Sequence, residues 1–281
     1  MEFLSCESLA NRADAWFACV TAERPPSDDR CIRFKLNSDS VEYLNPFDPS
    51  AISPDTIVFC KTDYVHRLAA YCVQMGIDSP FLLVTGQSDY PVTEELYKAV
   101  TRHIPVRWFG VNACTSSVAP VPLGLAPSFY TECARSGFRR TAGRRLLYVN
   151  HRVETYPPVR SKLYPMFEGK PWATVHRPFT GAERGRFLDE LCDHKFVLCP
   201  RGNGIDTHRV WEALCCGVIP IVQRHYTHES ISALLPVLIA DRFEDLTESL
   251  LERTWDTWNQ QTWQWDALRT DWWIRRMRAQ P

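Results

Sequence analysis

HKFVLCPRGNGIDTHRVWEALCCGVIPIV, residues 194–222, decides the fold. Phe196-Val197-Leu198-Cys199 is a short apolar run and reads as a buried strand. Pro200-Arg201-Gly202-Asn203-Gly204 must then leave that strand in a tight turn, where two glycines admit backbone conformations that other residues resist. Asp206 or Thr207 can N-cap a helix expected over residues 206–216. Gly217 breaks that helix, and residues 218–222 start the next strand at once. The unit over 195–222 is therefore strand, loop, helix and strand. Its loop offers backbone N–H groups and a helix N-terminus, both favourable to anionic oxygens.

Helical geometry assigns the faces. Val210, Ala213 and Leu214 share one side and should face a core, while His208, Arg209 and Glu212 cluster on another. Arg209, one turn in, can add a planar charged fork to a diphosphate. Glu212 on the same face can accept hydrogen bonds from ribose hydroxyls, as a carboxylate does in other dinucleotide folds. The plainer alternative is that Arg209 and Glu212 are only a surface ion pair, worth a few tenths of a kcal/mol. A lone Gly-X-Gly turn is also a weak signal. The combination of strand, Gly-rich loop, Thr-His-Arg, Glu and immediate buried strand is far more restrictive.

Alternating elements extend outward from this unit on both sides. In the first half, residues 56–60 (TIVFC), 81–85 (FLLVT) and 106–111 read as strands, with helices over 64–75 and 93–101. That βαβαβ order implies a parallel sheet with helices on its faces. Between 119 and 145, Pro120, Pro122, Gly124 and Pro127 break the pattern. Arg135, Arg139, Arg140, Arg144 and Arg145 follow, making this the expected linker: a solvated face, or a steering patch for an anion. The second half resumes with strands over 145–150, 196–199 and 218–222 and helices over 160–167, 187–193, 206–216 and 243–251. The expectation is α/β, with two Rossmann-like domains facing a cleft.

Composition narrows the function classes. The 281 residues carry a formal net charge of -1, whereas a nucleic-acid binder usually shows a basic excess, so no nucleic-acid partner is expected. Eleven cysteines are scattered without a Cys-X-X-Cys, which argues against a zinc ribbon or disulfide scaffold and for buried thiols in a reducing compartment. No run approaches a membrane span, and the apolar piece at 15–20 is too short for a leader, so a cytoplasmic protein is expected. His225 and His228 lack the further ligands that zinc needs and read as surface loop. From Leu250 onward lie six of the ten tryptophans, with Leu251, Trp255, Trp258, Trp265, Leu268 and Trp272 spaced as one helical face. Packing against the domains is the plain reading. Weak association at a membrane surface is the sharper one, because Arg269, Arg275, Arg276 and Arg278 accompany Trp272 and Trp273.

Residues 209–221 read Arg-Val-Trp-Glu-Ala-Leu, then Gly-Val-Ile-Pro-Ile from Gly217. This resembles the donor-binding motif of exostosin-like glycosyltransferases, strongly over about thirty residues and more loosely elsewhere. Leu147-Tyr148-Val149-Asn150 with Arg160 looks like the first strand and helix of their donor domain. Gln87-Ser88-Asp89 and residues 108–112 resemble acceptor-domain segments. The resemblance implies a GT-B fold: an acceptor domain over 1–130, a donor domain over 144–250, and C-terminal helices over 251–281 crossing back. It also implies a UDP- or GDP-sugar donor, a glycan, glycoprotein or glycolipid acceptor, and inversion at the anomeric carbon. A fucosyltransferase-like pattern is related, but Arg209 stands where that family has a Glu-Lys pair. A binding protein without turnover is the alternative from another class.

No Asp-X-Asp occurs, the motif that holds the metal in GT-A enzymes, so no metal cofactor is expected. Fixed donors must then stabilise the leaving diphosphate. The candidates are Asn150, Arg152, Arg160, Arg201, Gly202, Asn203, Gly204, Asp206, Thr207, His208, Arg209 and Glu212. Arg152 is included because it follows a strand at the carboxyl end, where open α/β sheets place ligands. Asp89 follows a buried strand of the first half and is the candidate general base, with a turn-forming role before Tyr90-Pro91 as its alternative. Glu94, Glu95 and Asp63 are weaker rivals.

Overall fold

The computed structural model describes residues 2–21, 32–37, 40–44, 47–127, 129–130, 143–179 and 184–279. Its chain divides into two units, Met1–Leu123 with Arg269–Pro281, and Gly124–Leu268.

In the first unit, α1 (Cys6–Arg12) leads into β1 (Ala15–Thr21), β2 (Ile32–Asn37) and β3 (Ser40–Leu44). Then follow β4 (Ile57–Lys61), α2 (Val65–Gln74), β5 (Phe81–Gly86), α3 (Glu94–Thr101), β6 (Val106–Gly110) and β7 (Ala119–Pro120). The sheet order is β2-β3-β1-β4-β5-β6-β7. From β1 to β7 neighbouring strands run parallel, and the fully buried β5 is the expected apolar run of a strand covered on both faces. On α2, Val65, Leu68, Ala69 and Cys72 form the buried stripe. Strands β2 and β3 are antiparallel additions on the far side of β1 that the sequence reading did not anticipate.

The second unit contains β8 (Arg145–Val149), α4 (Pro157–Phe167), β9 (Ala173–Val175), α5 (Arg184–Cys192), β10 (His194–Leu198), α6 (His208–Cys215) and β11 (Ile219–Gln223). After these come α7 (Tyr226–Ser232), β12 (Leu238–Ala240) and α8 (Glu248–Trp258). All strands are parallel, in the order β12-β11-β10-β8-β9. Pro157 and Pro158 start α4, where a missing N–H costs nothing. Leu147, Val149, Phe196, Leu198, Ile219 and Ile221 meet Leu163, Phe167 and Leu251 in its core. The fold class is therefore α/β, with two Rossmann-like units.

Two expectations change, and a third is described only in part. The helix expected over 243–251 is instead a 3₁₀ turn at Phe243–Asp245, extended Leu246, and α8, whose N-cap Thr247 accepts from the Leu250 amide at 3.2 Å. Residues His225 and His228 are not surface loop: His225 N-caps α7, and buried His228 bonds the Gln223 carbonyl at 2.9 Å. In the linker, Arg135, Arg139 and Arg140 lie outside the described residues, while Arg144 and Arg145 pair with Asp193 and Glu190.

The Trp-rich tail divides. Helix α8 stays with the second unit, where Trp255 packs edge-on to Phe196 at 6.2 Å. The last helix, α9 (Thr270–Ala279), belongs to the first unit and contacts α1. Ser8 and Thr270 hydroxyls are 2.7 Å apart, and Arg278 forks onto Asp14 at 2.7 and 2.8 Å. Trp273 and Met277 are buried there by packing within the first unit, while Trp272 and Ile274 are half-buried. No helix among the described residues is long and apolar enough to cross a membrane.

Candidate functional site

In the second unit the chain goes from β8 to β9 on one side and then crosses back to β10 on the other. Strand order thus reverses between β8 and β10, and open α/β sheets hold ligands outside the carboxyl ends at such a point. Two segments sit there: Asn150-His151-Arg152 after β8, and Pro200-Arg201-Gly202-Asn203-Gly204 after β10.

Arg160 on α4 ties these segments together. Its Nε donates to the Arg201 carbonyl at 2.8 Å and its Nη2 to the Pro200 carbonyl at 2.9 Å. Its Nη1 donates to the Arg152 carbonyl at 2.9 Å and to the Thr155 hydroxyl. The residue is 8% exposed, and no carboxylate pairs with it among the described residues. Burial first, and then Arg209, lower its pKa to about 10, so it stays charged at neutral pH.

Arg209 donates from Nη1 to the Asn150 carbonyl at 2.6 Å and from Nε to Glu212 at 3.3 Å, and its guanidinium lies 4.2 Å from the Phe187 ring centroid. The i,i+3 pair therefore forms, but not on the surface: the two side chains are 23% and 13% exposed. Arg201 curls over its own loop, donating to Asn203 at 3.2 Å, with its guanidinium 4.4 Å from the Tyr156 ring. Three guanidinium groups with one bonded carboxylate, Glu212, leave positive charge at this end of the sheet. The field is felt at His151: burial, and then Arg160, Arg209 and Arg177, lower its pKa to about 4.

The helix that follows the loop has no side-chain cap. Thr207 occupies the N-cap position in extended conformation, but its hydroxyl makes no hydrogen bond. Asp206 is turned inward and accepts from Trp211 Nε1 at 2.9 Å. This corrects the expectation that one of the two caps the helix. Among the described residues, no acceptor lies within hydrogen-bond reach of the Arg201, Gly202, Asn203 or Gly204 amides. His208 Nδ1 donates to the Gly124 carbonyl at 2.8 Å, leaving Nε2 as the other ring atom available to a ligand.

Of the residues expected from sequence, Asn150, Arg160, Arg201, Gly202, Asn203, Gly204, His208, Arg209 and Glu212 come together here. Asn150 is buried, with its amide donating to the Arg177 carbonyl at 3.0 Å, so its contribution is through the carbonyl that holds Arg209. The Arg152 side chain is exposed, and its carbonyl serves the Arg160 clasp. Sequence reasoning missed Phe187, Tyr156 and His151. A signal for Tyr156 existed in its place one residue before the proline start of α4, but none existed for Phe187.

The first unit has its own carboxyl edge. After β5, Gln87 takes φ 53°, and after β6, Asn112 takes φ 58°, both left-handed conformations that favour glycine. Asn112 Nδ2 donates to the Ser88 carbonyl at 3.2 Å, and Val92 donates to the Asn112 carbonyl at 3.0 Å. These bonds fix the turn that carries exposed Asp89, whose carboxylate makes no hydrogen bond or ion pair among the described residues. Its rivals are tied down. Hydrogen bonds from Thr115 and Ser117 hold the Glu94 carboxyl below the usual range, the Glu95 carboxyl is lowered by its own amide and Thr93, and Asp63 pairs with Lys61 at 2.7 Å.

No family model matches the chain, and no curated protein matches it. Among solved structures it is similar to a UDP-forming α,α-trehalose-phosphate synthase of Burkholderia vietnamiensis. The identity is 11%, over 83% of this chain and 76% of that one, with a TM-score of 0.40. It is also similar to an α,α-trehalose 6-phosphate synthase of Burkholderia multivorans, at 12% identity over 82% of this chain and 69% of that one, with a TM-score of 0.38. Likeness at this level carries no argument about this chain.

Proposed function

We propose that the second unit binds the diphosphate of a UDP- or GDP-sugar, and that the protein is a GT-B, exostosin-like glycosyltransferase acting on a glycan acceptor. One observation carries the reading: the topological switch point holds a glycine loop with unbonded amides, an uncapped helix N-terminus and three arginines. Anionic oxygens satisfy the amides and the helix N-terminus and complement the charge of the arginines, Arg160 through its field rather than by contact. The sequence resemblance supplies the sugar nucleotide. Two Rossmann-like units are what a GT-B enzyme combines, and this supports the same class.

In the proposed reaction the acceptor oxygen bonds to the anomeric carbon as the bond from that carbon to the diphosphate oxygen breaks. The electron pair leaves with the diphosphate, where loop amides and Arg209 receive the charge. The hydroxyl proton goes to Asp89, whose carboxylate is the least encumbered among those considered. No metal has a role in this scheme, in keeping with the missing Asp-X-Asp. Glu212 holds the ribose hydroxyls, and its Arg209 contact is long enough at 3.3 Å to be shared with a ligand.

A thermal-shift panel of UDP, GDP, CMP and their sugars tests this. A ligand raises stability by RT ln(1 + [L]/Kd), so a dissociation constant well under the added concentration gives a resolved shift. A shift with UDP or GDP but not CMP is expected. No shift with any nucleoside diphosphate at millimolar concentration refutes the proposal.

A further inference from the structure

Arg160 carries a consequence that rests on the diphosphate reading of the same loop. Two consecutive carbonyls, Pro200 and Arg201, turn toward one guanidinium, at 2.9 and 2.8 Å. The peptide bonds among the described residues are trans, and in a trans peptide the N–H points opposite to its C=O. The next two amides, of Arg201 and Gly202, therefore point away from Arg160, and they have no acceptor among the described residues. Successive amides aimed one way form an anion-binding concavity. Gly202 is buried, and an amide left without a partner in a buried position is costly, so the arrangement calls for a compensating contact.

We infer that Arg160 is the positioning residue of this site: it does not touch the diphosphate, but holds the loop with carbonyls inward and amides outward. Its fork is consumed by three carbonyls and one hydroxyl, which leaves a single Nη2 proton, and that edge lies against Gly202. A Cβ on Gly202 would stand 3.3 Å from Nη2, so glycine there preserves the clasp. The clasp also spans the two segments flanking the switch point, through the carbonyl of Arg152 on one side and those of Pro200 and Arg201 on the other. Lysine cannot replace this, because an ammonium lacks the planar fork that reaches two peptide planes together.

Inorganic pyrophosphate, UDP and GDP serve as probes, titrated into wild type, Arg160→Lys and Gly202→Ala. Both variants keep the charge, so an effect of charge alone is excluded. Each is expected to lose about tenfold or more in affinity, the scale of one charge-assisted hydrogen bond, while circular dichroism stays that of wild type. Wild-type affinity in both variants overturns the inference and leaves the donor reading standing. Absence of binding by wild type refutes the donor reading and the inference with it. Amide hydrogen exchange on the wild type needs no variant to fold: the Arg201 and Gly202 amides are expected to gain at least tenfold protection when pyrophosphate or a nucleoside diphosphate binds. Binding without protection of these amides also overturns the inference.

Discussion

Arg209 reaches back from the first turn of α6 to the carbonyl of Asn150, at 2.6 Å, and so joins the helix after β10 to the end of β8. The bond sets the guanidinium across the mouth of the switch point, with Phe187 beneath it at 4.2 Å. Nε and Nη1 are engaged by the protein, and Nη2 makes no hydrogen bond among the described residues. An arginine oriented by a carbonyl and an aromatic ring has little rotamer freedom left to lose when an anion arrives.

Asp89→Asn should leave nucleotide affinity unchanged and lower sugar transfer at least 100-fold, since general-base catalysis contributes about 10²–10⁴. Titration calorimetry and a transfer assay on a glycan panel read the two properties separately. Wild-type turnover in the variant removes Asp89 from the reaction.

Thr270→Val removes a buried hydroxyl that lies 2.7 Å from Ser8 Oγ and donates to the Phe3 carbonyl at 3.0 Å. Shape is nearly kept, but two buried polar groups lose a partner, so about 1–3 kcal/mol of stability should go. Urea unfolding measures it, and an unchanged midpoint would show that the tie between α1 and α9 contributes nothing.

His151 gives the fold a pH dependence. Its Nε2 bonds the Arg160 carbonyl at 3.1 Å, its Nδ1 has no partner, and burial holds its pKa at about 4. Unfolded, the ring titrates near 6.5. Between these values the unfolded state binds the extra proton, so stability is full above about pH 6.5 and is lost as pH falls toward 4. The shift corresponds to about 3 kcal/mol over that window. His151→Gln should flatten this part of the stability profile, measured by urea unfolding between pH 7 and pH 4; an equally steep profile would assign the loss to other groups, such as His194 or His225, which are also lowered by burial.

Side-chain pattern made the parallel strands and helices around the motif legible, because apolar runs and capping residues have sequence signatures. For α3 even the N-cap is readable, as Thr93 accepts from the Leu96 amide at 3.3 Å. The antiparallel strands β2 and β3 were not legible: Ile32, Phe34 and Leu36 alternate with Arg33, Lys35 and Asn37 over too few residues to stand out from loop. The site divides in the same way. Arg209 and Glu212 announce themselves by helical spacing, but Arg160 acts on main-chain carbonyls, which carry no residue identity for a sequence to display. Asp206 misled for a related reason, since its partner Trp211 takes the carboxylate that a capping rule assigns to the helix amides.

The central claim is that the loop and helix after β10 hold a nucleoside diphosphate, with Arg209 on the phosphates. Titration calorimetry of UDP and GDP into wild type and Arg209→Ala tests it most directly. The account predicts saturable binding of one of the two by wild type and a loss of tenfold or more in the variant, as one charged hydrogen bond is worth about 1.5–3 kcal/mol. Equal affinity in both proteins, or no binding of either nucleotide by wild type, would contradict it.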